Sequence, residues 1–522
     1  MNLRIEDMTE EQKIGMLLCA RRFDEKDDID FTLELIKKRA LGCAQVRPHQ
    51  KEIIKLIKET ADYPILIIAD MESGFQEAPL PKITLMSLSA CDKPEYYRAY
   101  AKGIAYYAKK AGFSGTWNPV LDILYGNGPC SVSRKISDDP LKVAEVGAEI
   151  AAVYKEHNFL ACGKHYPGTS EFPVDTHMTE GYSEMTEKDL VDFNLVPYKY
   201  LMDRGLLPSI MTRHALFKNI DPVYPASLSK KVIDIIRNMG FDGVAFTDSF
   251  AMMGVLQKFG EENIYGMAVA AGNDIILTNY RTPTRQCYEM LMKNYRDGAF
   301  TEEHLDEAVK RVLKAQEFTA KELDDSVQFR NEDENLLNDL AKDCITAVTD
   351  DGLDAALGGK SEEKLFIILR ENTDVDDRDN LEITPGKWYY PKRIENRIKE
   401  KFPGAGIVYL PEFPSGKDNE LALSSATKYK EVVFVSFCTT AAYVGTDGLT
   451  RRAEAVINAL AHSKKLSAIV HFGNPYALRE LKHIPRRIFG YNIPDSQCYA
   501  IDVLAGEAEA KGSLPYNVEF VN

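Results

Sequence analysis

Positive charge is in short supply. The 522 residues carry 64 Lys and Arg against 79 Asp and Glu, a formal net charge of −15. Such a balance argues against nucleic acid or an anionic membrane as partner, because both demand a basic surface. Long apolar runs are also missing. No uninterrupted stretch approaches the roughly 20 residues needed to cross a bilayer. Met1 to Met8 lacks a basic segment leading into an apolar one, so no signal peptide is expected and the expected location is the cytoplasm. The nine cysteines are odd in number and none form a C-x-x-C pair. They read as scattered free thiols of a reducing compartment, with no cysteine zinc site. There is neither a G-x-G-x-x-G nor a Walker A pattern, which excludes the common nucleotide-binding enzymes. The Asp and His residues lack a helical ligand spacing such as H-x-x-x-H, so no metal and no cofactor is expected.

What the chain does have is alternation. Short apolar runs recur at Gly42 to Val46, Ile65 to Ala69, Gly115 to Ile123, Leu160 to Gly163, Pro208 to Met211, Gly243 to Phe246 and Asp274 to Leu277. Each is bounded by charge, Gly or Pro, as buried parallel strands are. Segments of helical period fall between them, among them Pro94 to Lys110, Leu141 to His157 and Ser229 to Asn238. Seven strand-then-helix units, with one unseen, predict a (β/α)8 TIM-type barrel over residues 1–323. Residues 324–336 are rich in Asp, Glu and Asn and read as a linker. A second pattern over 337–522 predicts a smaller α/β sandwich domain.

Catalytic groups of a parallel barrel lie at the C-terminal ends of its strands. The residues just past the runs are Asp70 and Glu72, then Asp122, then Lys164-His165, then Arg213-His214, then Asp248. Charged and imidazole groups on five strand ends are hard to reconcile with a purely structural role, so the rim is the candidate site. Any one of them alone would more simply be a strand cap. Carboxylates, Lys, Arg and His together suit sugar hydroxyls, which need both donors and acceptors.

These segments resemble glycoside hydrolase family 3, and within it the two-domain β-N-acetylglucosaminidases. Lys164-His165-Tyr166-Pro167-Gly168 followed by Asp175-Thr176-His177 resembles K-H-F-P-G…D-S/T-H. Asp70-Met71-Glu72-Ser73-Gly74 resembles D-x-E-G-G, Asn118 to Ile123 resembles A-P-V-L-D-I, and Arg134 to Pro140 resembles R-x-F-G-D-D-P. Thr247-Asp248-Ser249 resembles the nucleophile segment S-D-D. The likeness spans about residues 5 to 320. It departs from the family at Thr169-Ser170, at Ser73, at Arg213, after His177, and in lacking the Arg that commonly follows D-x-E-G-G. These positions bear on the acyl and leaving groups.

The resemblance implies a retaining exo-acting glycosidase. Asp248 would be the nucleophile and His177, oriented by Asp175, the general acid/base. Asp70, Arg134, Lys164 and His165 would hold the sugar, with His214 and Met252 beside them, and Asp122 would be structural. An imidazole titrating near neutrality suits both proton transfers. The expected partner is a small oligosaccharide or aminosugar, with no oligomeric state implied. Three alternatives stay open: a phosphorylase with phosphate in place of water, a β-glucosidase or β-xylosidase of the same family, and an inactive sugar-binding relative.

Overall fold

A computed structural model describes residues 3–125, 132–168, 174–323, 327–372, 388–438, 442–445 and 448–521. The chain divides into two compact units. The first takes Met1–Pro79, Tyr97–Cys130 and Lys135–Asp333, and the second Leu80–Tyr96, Ser131–Arg134 and Glu334–Asn522.

The first unit is a (β/α)8 barrel. Its strands in chain order are β1 (Leu18–Ala20), β2 (Cys43–Gln45), β3 (Leu66–Ala69), β4 (Gly115–Thr116), β5 (Gly163–Tyr166), the rim strand β6 (Gly181–Ser183), β7 (Ser209–Thr212), the rim strand β8 (Ala215–Phe217), β9 (Val244–Thr247) and β10 (Ile276–Leu277). One parallel arc runs β10-β1-β2-β3-β4 and another runs β5-β7-β9. Parallel bridges between Val120 and Lys164 and between Phe246 and Ile275 close the ring. The short pair β6–β8 sits outside it. Strand residues are buried almost throughout, as expected for strands covered on both faces. The covering helices are amphipathic. Glu302–Ala320 buries Leu305, Ala308, Val309, Val312 and Ala315 at helical spacing, and a Thr301 capping box starts it.

The expected strands are present within a few residues; β1 and the rim strands β6 and β8 are additions, and several strands are shorter than their runs. β1 had no sequence signal of its own, because it follows the helix Glu10–Met16 with only Leu17 between them. The run from Gly115 to Ile123 yields a two-residue strand. Pro119 has no N–H to give a ladder, and the chain continues by single contacts, Leu121 N donating to Lys164 O at 2.6 Å.

The second unit holds β11 (Thr346–Thr349), β12 (Lys364–Arg370), β13 (Gly406–Pro411), β14 (Glu431–Phe437), β15 (Leu466–Phe472) and β16 (Arg486–Phe489), in the order β11-β16-β15-β14-β12-β13. Only β11 is antiparallel. Two expectations about the boundary need correction. Residues 324–326 lie outside the described ones, but the presumed linker runs into a helix, Asn331–Asp343, whose Leu337, Leu340 and Ala341 are buried. The border is also not single. The helix Leu85–Cys91 belongs to the second unit, where Thr84 Oγ1 donates to Tyr491 O at 2.9 Å and Ser513 N donates to Ala90 O at 2.9 Å. Contacts across some 400 residues leave no local trace in a sequence. Among the described residues no helix is long and apolar enough to cross a membrane.

Candidate active site

The barrel's rim groups fall into three clusters. In the first, β3 ends at Asp70 and β5 carries Lys164. The Lys164 ammonium is 1% exposed and lies 2.8 Å from Asp70 Oδ1 and 2.5 Å from Glu72 Oε1. A buried cation is tolerable only when paired, and here two carboxylates share it. Asp70 itself is more than half exposed.

In the second cluster His165 Nδ1 lies 2.8 Å from Asp122 Oδ2, while the His165 backbone N–H donates to Asp122 Oδ1 at 3.2 Å. Burial favours the neutral acid of Asp122, but His165, Arg213 and Lys135 outweigh it and hold its carboxyl well below the ordinary range. Asp122 thus accepts backbone hydrogen bonding, as expected of a strand end, and also fixes the His165 ring.

The third cluster contains the expected catalytic groups. Asp248 follows β9, with its N–H donating to Thr212 O at 2.8 Å and its Oδ1 accepting the Ser249 N–H at 2.7 Å. Burial pushes this carboxyl up. His165, His214, the Ser249 N–H and His177 pull it down further, to about 2. Asp248 is therefore an ionised carboxylate at neutral pH. His177 and Asp175 share a turn in which Met178 N and Thr179 N both donate to Asp175 O. Asp175 Oδ1 lies 2.8 Å from His177 Nδ1 and accepts the His177 backbone N–H at 2.9 Å. A carboxylate on Nδ1 keeps that nitrogen protonated and leaves proton exchange to Nε2. The ring is about one-third exposed.

Of the residues expected beside the sugar, His214 is one whose ring the protein itself engages. His214 is 1% exposed, its Nδ1 2.7 Å from Ser227 Oγ and its Nε2 3.1 Å from Ser249 O. The ring stacks on Phe250 at 4.8 Å. Burial lowers its pKa to about 4, against the opposing pull of Asp248. With both nitrogens spent on the protein, His214 buttresses the Asp248 segment and holds no hydroxyl. Met252 is buried, and its N–H donates to Ser249 O at 3.0 Å. Arg134 closes the turn Val132–Arg134, which groups with the second unit. Residue 168 of the K-H-Y-P-G motif is described, and Thr169-Ser170 lie outside the described residues.

One residue of the site was missed. Arg21, at the end of β1, donates to Ser249 Oγ, to Gln45 Oε1 and, at 2.8 Å, to Thr278 O. Its guanidinium lies 5.2 Å from the Tyr280 ring centroid. Burial lowers its pKa, while Cys19, Asp70 and Asp248 oppose that shift. The Arg21-Arg22 pair after an apolar run was the available signal, hidden because the strand itself was not recognised. The whole arrangement offers an ionised carboxylate, a carboxylate-held imidazole near it, and charged groups able to grip hydroxyls. That combination serves nucleophilic substitution with proton transfer.

Known proteins resemble this chain in sequence and in fold. The profile of the Glycosyl hydrolase family 3 N terminal domain matches residues 37–315. A β-N-acetylglucosaminidase/β-glucosidase of Cellulomonas fimi is 25% identical over 329 residues, covering 59% of this chain and 57% of that protein. A β-hexosaminidase of Thiobacillus denitrificans is 28% identical over 226 residues, covering 41% and 62%. The chain thus spans about three fifths of the length of these relatives. A solved family 3 β-N-acetylglucosaminidase from Paenibacillus sp. has the same fold at a TM-score of 0.79, 23% identity and coverage of 99% and 100%. A β-glucoside phosphorylase, BglX, matches at a TM-score of 0.81, 18% identity and coverage of 98% and 95%.

Proposed function

The chain belongs to glycosyl hydrolase family 3, and from that premise we propose that it is a retaining exo-glycosidase that removes terminal β-linked N-acetylglucosamine. One observation carries the reading. Asp248 follows β9, and five residues on the Met253 N–H donates to the backbone O of His177, whose ring Asp175 holds on a turn of its own. Asp248 attacks the anomeric carbon and forms a glycosyl-aspartate while His177 Nε2 protonates the departing oxygen. His177 then takes a proton from water, which attacks the same carbon and frees Asp248. Asp175 stabilises the imidazolium of the intermediate state. Asp70, Lys164 and His165 grip the ring hydroxyls, and Arg21 steadies Ser249 beside the nucleophile. The acetamido preference draws on the relatives named β-hexosaminidase and on the Asp175-Thr176-His177 motif.

A second reading concerns the acceptor. A neutral imidazole, unlike a carboxylate, does not repel an incoming anion, so phosphate can stand where water does. Sugar 1-phosphate formed in phosphate buffer would select that reading.

The test is turnover of an aryl β-N-acetylglucosaminide by the wild type and by Asp248→Ala. The variant is expected to lose at least about a thousandfold in kcat. A 5-fluoro sugar should label Asp248 and no other carboxylate. Absence of turnover on any aryl β-glycoside, or a label elsewhere, overturns the proposal.

A further inference from the structure

We infer that Gly254 is a positioning residue, the seat on which the acid/base loop rests, so that one backbone contact registers His177 against Asp248. The inference rests on the catalytic assignment above and extends it to a residue with no functional group.

The helix Met253–Phe259 starts five residues after Asp248. At its first residue the Met253 N–H donates to His177 O at 2.9 Å. At its second residue the loop comes closer than any side chain permits. A Cβ on Gly254 would lie 2.5 Å from Thr179 O and 2.7 Å from Thr176 O. Both obstacles are backbone atoms of the turn that carries His177, so they cannot rotate away. The helical backbone at Gly254 would suit any residue, and space alone calls for glycine here. One turn further on, Lys258 Nζ lies 2.9 Å from Glu180 Oε1 and ties the far end of the loop to the same helix. The loop then enters β6, which pairs with β8. His177 is thus held from below by the helix that the nucleophile's strand leads into. Nucleophile and acid/base are both tied to the short segment 248–258.

Gly254→Ala must lift the turn by several tenths of an ångström while leaving Asp248, just past β9, in place. Leaving-group dependence separates the two effects, because an activated leaving group departs without a proton and a sugar alkoxide does not. The expected result is a fall in kcat/KM of about ten- to a hundredfold on an alkyl or disaccharide substrate and less than about threefold on a dinitrophenyl glycoside. On the dinitrophenyl substrate kcat should fall, because release of the glycosyl-aspartate to water still needs the base, and azide should restore it. Azide attacks the anomeric carbon of the glycosyl-aspartate, breaks the bond to Asp248 and leaves as glycosyl azide without needing a base. Glu180→Gln, a surface change that cannot prevent folding, should give the same leaving-group dependence at about two- to fivefold. Amide hydrogen exchange of residues 175–180 should rise in Gly254→Ala while that of β9 stays as in the wild type. An equal fall in kcat/KM on both leaving groups, or unchanged exchange in the loop, overturns the inference. The exchange result stands whether or not the chain is a glycosidase, so failure of the contact and failure of the activity are told apart.

Discussion

The barrel and the second unit both place histidine near the C-terminal end of parallel strands, and the two sets of rings are built for opposite ends. In the barrel His165 and His177 each have a carboxylate 2.8 Å from Nδ1 and keep some exposure, 13% and 32%. In the second unit His471, on β15, is fully buried. Its Nδ1 lies 2.8 Å from Ser436 Oγ and its Nε2 3.5 Å from Cys438 Sγ. Burial lowers its pKa to about 3. No carboxylate faces it from these contacts, so it stays neutral and joins β14 to β15. His214 shows that the unit is not what decides, for it lies in the barrel and is buried against Ser227 with a similarly lowered pKa. The partner and the access to water set an imidazole's work, and the strand end supplies only the place.

The comparison breaks most sharply at His177. His177→Ala should cost about 10²- to 10⁴-fold in kcat/KM on a substrate with a poor leaving group. A loss equal to that of His471→Gln would erase the distinction drawn here. Asp175→Asn comes next. The ring remains, and only its orientation and the stabilisation of its charged form are lost. A fall of about ten- to a hundredfold with a shifted basic limb of the pH–rate profile is expected. An unmoved profile would show that Asp175 is a loop brace only.

His471→Gln should leave turnover unchanged and lower the unfolding free energy by about 1–3 kcal/mol, read from urea titration. The smallest effect is the pH dependence of that quantity. His471 and His214 have folded pKa values of about 3 and 4 against an ordinary 6.5. The unfolded chain therefore binds protons that the folded chain refuses. Their contribution is complete above pH 6.5 and is lost as pH falls toward 4 and then 3. Asp248, lowered to about 2 from 3.8, adds a loss only below pH 3.8. The urea midpoint should drop between pH 6.5 and pH 4, and drop less in His471→Gln. An equal drop in both would show that His471 is charged in the folded protein.

The rim was legible because a buried parallel strand is a run of apolar residues, and the first polar residue after such a run marks its end. Asp70 and Asp248 do follow β3 and β9 directly, whereas Lys164 and His165 lie within β5, which begins only where the apolar run Leu160 to Gly163 ends. Arg21 was not legible, since Leu18–Ala20 follows a helix without a turn, and three apolar residues after a helical pattern look like its continuation. His214 passed the same positional test and still misled, because position cannot show that Ser227 and Ser249 take both its nitrogens. The role of Gly254 depends on a contact with residues some 75 positions earlier, and no spacing rule reaches that far.

The helix Leu85–Cys91 carries a consequence for the newborn chain. Its partners Tyr491 and Ser513 are separated from Thr84 and Ala90 by 407 and 423 residues. A ribosome adding about 5–20 residues each second needs about 20–80 s to cover that stretch. Throughout that time Met86, which Tyr516 meets in the finished protein, and the helix ends at Thr84 and Ala90 wait for partners that have not yet been made. The first third of the molecule thus leaves the ribosome with an uncovered apolar segment in its midst, and chaperones that recognise such segments should bind there until the residues beyond β16 arrive.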